Sequence, residues 1–170
     1  MPTVVVGVAE GKVTVNREDV LTTYALGSCI AVMAHDARAG VGGLLHLMLP
    51  DSALDAQKAA ARPWMFADSG IRELFTGMRR LGADLKRSSI WLAGGAQVVA
   101  NADMFNIGKR NCLAVRKLLW QEGLIVRGED VGGTVSRTVR LDVATGKTWI
   151  KTGSTSLSAC DGDLQWRLMS

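Results

Sequence analysis

Two apolar runs on either side of a short turn constrain the fold of this chain more than any other feature. Residues 30–34 and 41–49 carry no Asp, Glu, Lys or Arg, and residues 37–40 connect them. Short apolar runs bounded by turn residues are typical of buried strands. We therefore expect an antiparallel pair, in which the start of the first strand lies beside the end of the second.

The other segments predict a mixed architecture. Apolar residues recur at helical spacing over residues 68–81 and 106–120, which predicts two main helices. Further strands are predicted at residues 3–8, 12–15, 89–93, 124–130, 135–143 and 147–151. The first two of these are expected to form a hairpin that turns at Glu10 and Gly11.

Strands outnumber helices in this pattern, so the expected fold class is α+β, a mixed α/β sandwich built on mixed sheets. A chain of 170 residues is most simply one domain, which we place at residues 1–152. Residues 153–170 are rich in Ser and Thr with one apolar patch near Leu164 and Trp166, and we expect a poorly ordered tail there.

Composition excludes several classes of protein. The net charge is only +4, and the cations are spread along the chain with no basic stripe, which argues against nucleic-acid binding. Three cysteines without a C-x-x-C spacing argue against a zinc site or a disulfide framework and favour a reducing compartment. No apolar run approaches the ~20 residues of a membrane span, and no signal peptide is visible. We therefore expect a cytoplasmic location.

One cysteine and one histidine stand where the predicted strand pair would bring them together. Cys29 follows a Gly27-Ser28 bend at the start of the first strand, and His46 lies near the end of the second. A histidine beside a cysteine can hold the thiol as a thiolate through an ion pair, with a pKa below the ~8.5 of a free thiol. Cys29 is therefore the candidate nucleophile and His46 its candidate base.

Three further residues complete this candidate site. The hydroxyl or the carbonyl of Thr23 could hold the imidazole of His46 in the correct tautomer. Backbone N–H groups at the bend formed by Gly27 and Ser28 could face an oxyanion. Cys29 and His46 also have ordinary interpretations. A lone cysteine is most often a small buried hydrophobe, and His46 could be a satisfied core histidine.

The remaining cysteines and the other histidine do not suggest catalysis. Cys112 falls among apolar positions of the second predicted helix and is interpreted as packing. Cys160 lies in the tail with no histidine near it in sequence. His35 precedes an aspartate and is expected in an exposed polar turn.

Several short motifs agree with one family at once. They are Leu26-Gly27-Ser28-Cys29, Gly42-Gly43, His46-Leu47-Met48-Leu49-Pro50, Gly94-Gly95-Ala96, Ile107-Gly108-Lys109-Arg110-Asn111, and Asp130-Val131-Gly132-Gly133 with Arg137 after it. Together they resemble CheD, the chemoreceptor glutamine deamidase family of bacterial chemotaxis, in the family's order and over roughly residues 3–152. Ala25 stands where a glycine is common, and Ala93 where a phenylalanine is common.

This resemblance implies a Cys-His-Thr triad that maps onto Cys29, His46 and Thr23. It also implies a fold related to that of the cysteine deamidase toxins and the conversion of receptor glutamines to glutamate without a metal or organic cofactor. The implied partners are methyl-accepting chemotaxis receptors and the CheC phosphatase. A chemotaxis regulator that acts mainly through a complex with CheC is the alternative function.

The glycine motifs and the Arg110-Asn111 pair were open to two interpretations. The glycines are expected to form turns with positive φ that line the cleft, because no phosphate-binding loop ending is present. Arg110 and Asn111 could shape the same wall, but the favoured interpretation is local capping and pairing.

Overall fold

Two five-stranded β-sheets form the frame of this protein in a computed structural model that describes residues 2–97, 106–153 and 165–169. The strands are β1 (Thr3–Val5), β2 (Glu10–Thr14), β3 (Val20–Leu26), β4 (Ile30–Asp36), β5 (Val41–Leu47), β6 (Ser89–Gly94), β7 (Val126–Val131), β8 (Ser136–Asp142), β9 (Thr148–Gly153) and β10 (Arg167–Leu168). The first sheet has the order β1-β3-β8-β9-β10, and the second has the order β2-β5-β4-β6-β7. Each contains one parallel pair, β1 with β3 and β6 with β7, so both sheets are mixed.

In the described part of the chain, three α-helices accompany the sheets: α1 (Ala56–Ala61), α2 (Ala67–Arg80) and α3 (Ile107–Gln121). Two short 3-10 helices, Ser52–Leu54 and Pro63–Met65, flank α1. The apolar sides of α2 and α3 pack on one face of the second sheet, and the other face of that sheet packs on the first sheet. The expected α+β sandwich with two main helices is therefore confirmed.

The predicted antiparallel pair lies at the centre of the second sheet. Ile30 pairs with Leu47 and Ala31 with His46, and every residue of β4 and β5 is buried. Burial on both faces explains why the two segments read as continuous apolar runs instead of alternating ones. The start of β4 and the end of β5 therefore meet at one edge of the sandwich.

The predicted N-terminal hairpin is wrong. β1 pairs in parallel with β3 in the first sheet, whereas β2 pairs antiparallel with β5 in the second. The chain crosses between sheets over residues 7–9, where the Gly7 backbone N–H donates to Glu10 Oε2 at 2.8 Å. Local alternation predicts a strand but does not indicate its partner, which is why the error arose.

One smaller expectation also differs from the structure. His35 is buried in β4, and its Nε2 donates to the Val143 carbonyl at 3.0 Å, so it is not in an exposed turn. Of the segment predicted as a tail, residues 165–169 are described: β10 pairs with β9, and Met169 is buried. Residues 154–164, which include Cys160 and Leu164, lie outside the described residues.

Ala25 occupies a strained backbone position just before the Cys29 bend. Its φ is +55°, within an irregularity of the β3–β8 pairing between Thr23 and Leu26. A left-handed conformation costs a residue with a Cβ roughly 1–2 kcal/mol, whereas glycine adopts it freely. A glycine would adopt this conformation without strain, which is consistent with the glycine expected here from the family resemblance.

We expect Ala25→Gly to raise the free energy of unfolding by a few tenths to about 1 kcal/mol, because the relief of strain exceeds the entropy cost of glycine. Urea denaturation measures this change. The matched control is Ala60→Gly in α1, where the backbone is helical and exposed, and there glycine should lower stability by about 0.5–1 kcal/mol. A loss of stability in both variants would contradict the strain argument.

Candidate active site

Cys29 lies in the bend between β3 and β4, at the edge where the two sheets meet. Its side chain is half-buried and packs against the cluster between the sheets, together with Ala31, Met33 and Leu44. These neighbours lie on the face of the second sheet that is turned toward the first sheet. The thiol is therefore at the open end of the inter-sheet core.

Three successive carbonyls fix the backbone around this thiol. Those of Gly27, Ser28 and Cys29 each accept a hydrogen bond from another segment of the chain. The donors are, in the same order, the Ala96 backbone N–H at 2.8 Å, Asn111 Nδ2 at 2.9 Å and the Gly95 backbone N–H at 2.8 Å. The bend that carries Cys29 is thus held in one conformation before any substrate arrives.

The Gly94-Gly95 pair explains how a second loop reaches this bend. Their φ angles are +112° and +64°. A Cβ on Gly94 would lie 2.1 Å from the Cys29 carbonyl oxygen, and one on Gly95 would lie 2.3 Å from Cys112 Sγ. Both glycines therefore provide turn geometry and also allow close backbone approach beside Cys29.

His46 lies on the same face of the second sheet as Cys29. Ala31 is its direct cross-strand partner on β4, and Cys29 precedes Ala31 by two residues. Residues at such diagonal positions stand ~7–8 Å apart at the backbone. No hydrogen bond joins Cys29 Sγ to His46 Nε2, which has no partner among the described residues. The register therefore brings the candidate nucleophile and the candidate base to one end of one face.

Thr23 contacts His46 directly from the opposite sheet. Its hydroxyl donates to the Val6 carbonyl at 2.6 Å, and its Oγ1 lies 2.7 Å from His46 Nδ1. Because the one hydroxyl proton goes to Val6, Oγ1 can only accept from the imidazole, which places the histidine proton on Nδ1. His46 Nε2 then carries a free lone pair, and it has no hydrogen-bond partner among the described residues.

Comparisons with known proteins place the chain in a family. The family described as CheD chemotactic sensory transduction matches residues 48–152. A probable chemoreceptor glutamine deamidase CheD 1 of Syntrophus aciditrophicus is 46% identical over 151 residues, which cover 89% of this chain and 94% of the relative. The chain belongs to the CheD family.

Other CheD relatives extend the similarity to the whole chain. A probable chemoreceptor glutamine deamidase CheD of Solibacter usitatus is 47% identical over 151 residues, which cover 89% of each protein. One of the same description from Syntrophotalea carbinolica is 39% identical over 170 residues, which cover 99% of this chain and 100% of the relative. The match to the family begins at residue 48, after Cys29 and His46.

Burial favours the uncharged forms of both Cys29 and His46 in this CheD protein. Desolvation raises the pKa of the Cys29 thiol, and the hydrogen bond from its own backbone N–H offsets this only in part. Desolvation also lowers the pKa of His46 to about 4, against a smaller opposing effect of the Glu10 carboxylate. These directions do not favour the ion pair expected from the sequence, because both side chains lose hydration between the sheets.

Two buried residues of this CheD site make long-range hydrogen bonds that the sequence interpretation did not predict. Asn111 does not cap or pair locally, since its side chain reaches Ser28 and Met48 on two strands. Arg137 is buried, and it donates to Asp130 Oδ1 and the Gly132 carbonyl, both at 2.8 Å. The bond to the Gly132 carbonyl holds this turn in place, and the Gly132 backbone N–H donates to the Gly94 carbonyl. The only sequence signal for either residue was its place in a family motif.

The described part of the chain offers no obvious metal centre. No group of three or more His, Cys, Asp or Glu side chains within residues 2–97, 106–153 and 165–169 could hold a metal ion. In the same residues, no helix is long and apolar enough to span a membrane.

We expect alkylation of Cys29 by iodoacetamide to be slow near neutral pH and to accelerate only above the ~8.5 of an ordinary thiol, because desolvation disfavours the thiolate. Peptide mapping by mass spectrometry after timed alkylation gives the rate at each pH, and Cys29→Ala provides the background. An alkylation rate that is already maximal at pH 6–7 would contradict neutral forms of Cys29 and His46 and would favour the thiolate–imidazolium ion pair.

Proposed function

We propose that this protein deamidates glutamine side chains of methyl-accepting chemotaxis receptors, converting them to glutamate with release of ammonia. The observation that carries this proposal is the hydrogen-bond chain from Val6 through Thr23 to His46 Nδ1, which leaves Nε2 as a base on the face that also holds Cys29. The substrate class is taken from the CheD relatives, which are named as probable chemoreceptor glutamine deamidases. The receptor region concerned is cytoplasmic, so the enzyme acts in the cytoplasm.

The first half of the reaction forms a thioester. His46 Nε2 takes the proton from Cys29 as the sulfur attacks the carboxamide carbon, and the carbonyl electron pair moves onto oxygen. Backbone N–H groups of the bend at Gly27, Ser28 and Cys29 stabilise this oxyanion. The oxyanion then collapses, the C–N bond breaks, and the His46 imidazolium gives its proton to the leaving ammonia.

The second half returns the enzyme to its starting state. Water loses a proton to His46 as its oxygen attacks the thioester carbon, and collapse of the second oxyanion releases the Cys29 sulfur. The sulfur regains its proton from His46, and the product is a glutamate side chain. Each step uses only groups of this chain and water, so the mechanism needs no metal or organic cofactor.

The neutral resting pair is compatible with this mechanism. A neutral imidazole can accept a proton, and the low pKa of His46 keeps it neutral throughout the physiological range. The thiolate then forms during attack, when the positive imidazolium and the bound substrate stabilise it. Thr23 orients the ring, and it also accepts from Nδ1–H when the imidazole becomes charged.

Cys29→Ala should abolish deamidation, with a loss of at least about 1000-fold, because no other group replaces the nucleophile. The measurement is mass spectrometry of receptor peptides after incubation with enzyme, which detects the small mass increase of each amide-to-acid conversion. The matched control is Cys112→Ala, which removes a buried thiol of α3 and should retain activity. Deamidation by Cys29→Ala at the wild-type rate would exclude the mechanism.

Thr23→Val should lower kcat by roughly tenfold or more, since it removes a buried hydrogen bond that selects the tautomer of His46. Thr23→Ser keeps the hydroxyl and should remain within about threefold of wild type, a difference below 1 kcal/mol. The same mass-spectrometric assay at saturating receptor measures both variants. Equal rates for the Val and Ser variants would show that Thr23 does not orient the base.

A regulatory role through the CheC phosphatase is the alternative function, supported by the sequence resemblance. The two functions differ in what they require of Cys29. A binding regulator would form a stable complex with CheC and leave receptor glutamines unmodified, and Cys29→Ala would not affect it. Co-purification with CheC, combined with the deamidation assay, distinguishes the two.

A further inference from the structure

Asn111 hydrogen-bonds to the chain just before β4 and just after β5, at the edge where these two strands meet. It lies in the second turn of α3, and its side chain is 0% exposed. Its Nδ2 donates to the Ser28 carbonyl at 2.9 Å and to the Met48 carbonyl at 2.8 Å. Ser28 precedes Cys29 at the start of β4, and Met48 follows the end of β5, two residues after His46.

The hydrogen-bonding pattern of this side chain is specific. Both of its partners are carbonyls, which only accept, so the position requires a group with two donors and excludes aspartate. Asn111 Oδ1 is buried and has no partner among the described residues.

The bond to Ser28 also sets the direction of the next N–H. In a trans peptide the carbonyl and the following N–H point in opposite directions. With the Ser28 carbonyl held toward α3, the Cys29 N–H is directed away from α3, to the side of the thiol. In agreement, the Cys29 N–H is the backbone donor that interacts with the Cys29 sulfur.

The helix that carries Asn111 is held firmly in place. A Cβ on Gly108 would lie 2.6 Å from the Gly95 carbonyl oxygen, so the first turn of α3 packs directly on the loop that also bonds to Cys29. Met48 in turn accepts at the end of β5, close to His46. The position of Asn111 therefore depends on the same contacts that fix the site.

We propose that Asn111 is a positioning residue that orients the Ser28–Cys29 peptide, so that the Cys29 N–H points at the oxyanion formed during glutamine deamidation. This inference rests on the proposed function. It assigns to Asn111 no contact with the substrate, since the effect passes through the backbone of Cys29. Loss of the side-chain amide should therefore weaken oxyanion stabilisation without removing the nucleophile.

Two reactions of the same thiol separate these effects. Deamidation passes through an oxyanion, whereas alkylation by iodoacetamide expels iodide and develops no charge on a carbonyl oxygen. For Asn111→Leu we expect kcat for deamidation to fall by at least about tenfold, because removal of a well-placed oxyanion donor costs ~100-fold or more. The alkylation rate of Cys29 should fall by no more than about threefold, because the Cys29 N–H offsets only part of the raised pKa of the thiol. KM should also stay within about threefold, because it does not depend on that donor.

The controls address folding and general effects of the substitution. Circular dichroism and thermal denaturation establish that each variant is folded. If Asn111→Leu does not fold, Asn111→Ser, which keeps one donor, takes its place with the same expected separation of rates. Asn16→Leu is the matched control, because Asn16 Nδ2 donates to Asp19 Oδ1 at 2.8 Å in the turn before β3, and both reactions should be unchanged.

The outcomes discriminate between this inference and the proposed function. An unchanged kcat in a folded Asn111 variant would overturn the positioning role, and so would equal losses of deamidation and alkylation, which indicate general damage to the bend. If wild-type protein does not deamidate receptor glutamines, or Cys29→Ala still does, the proposed function itself fails. The selective loss of deamidation in the Asn111 variants supports the inference.

Discussion

The pairing of β4 with β5 is the constraint on which the rest of the structure depends. These strands are covered by the first sheet on one side and by α2 and α3 on the other, which is why they are apolar throughout. Because side chains alternate between faces, a slip of one residue would turn His46 from the inter-sheet face toward the helices. The register that packs the core therefore also places the candidate base.

Burial of one polar side chain couples the two sheets. His46 lies in the second sheet and is almost fully buried, and a buried imidazole without a partner would be costly. Thr23 in the first sheet supplies that partner, and the Val6 carbonyl fixes which way the hydroxyl points. One contact thus satisfies Nδ1 of the buried ring and sets the tautomer that the proposed general base needs. The accompanying desolvation lowers the pKa of the imidazole to about 4, which favours its neutral form.

The loop that carries Cys29 is organised by segments far away in sequence. Gly95 and Ala96 supply backbone donors, Asn111 supplies a side-chain amide, and Arg137 holds the neighbouring Gly132 turn against Gly94. Close approach of these segments is possible only because Gly94 and Gly95 lack a Cβ. The glycine motifs and Asn111 therefore hold the same bend in place. Because the bend is already ordered, the proposed reaction does not include the free-energy cost of ordering it.

The sequence by itself determined the central strand pair, the two main helices and the sandwich class, because hydrophobic periodicity directly reports burial. It also singled out Cys29, His46 and Thr23, whose spacing needed only that strand pair and a family resemblance. Only the tertiary structure decided that β1 and β2 join different sheets, that Asn111 reaches two strand ends and that burial favours the uncharged forms of Cys29 and His46. Strand partners, long-range hydrogen bonds and desolvation depend on which distant segments contact each other in the fold. A local pattern of residues does not report those contacts.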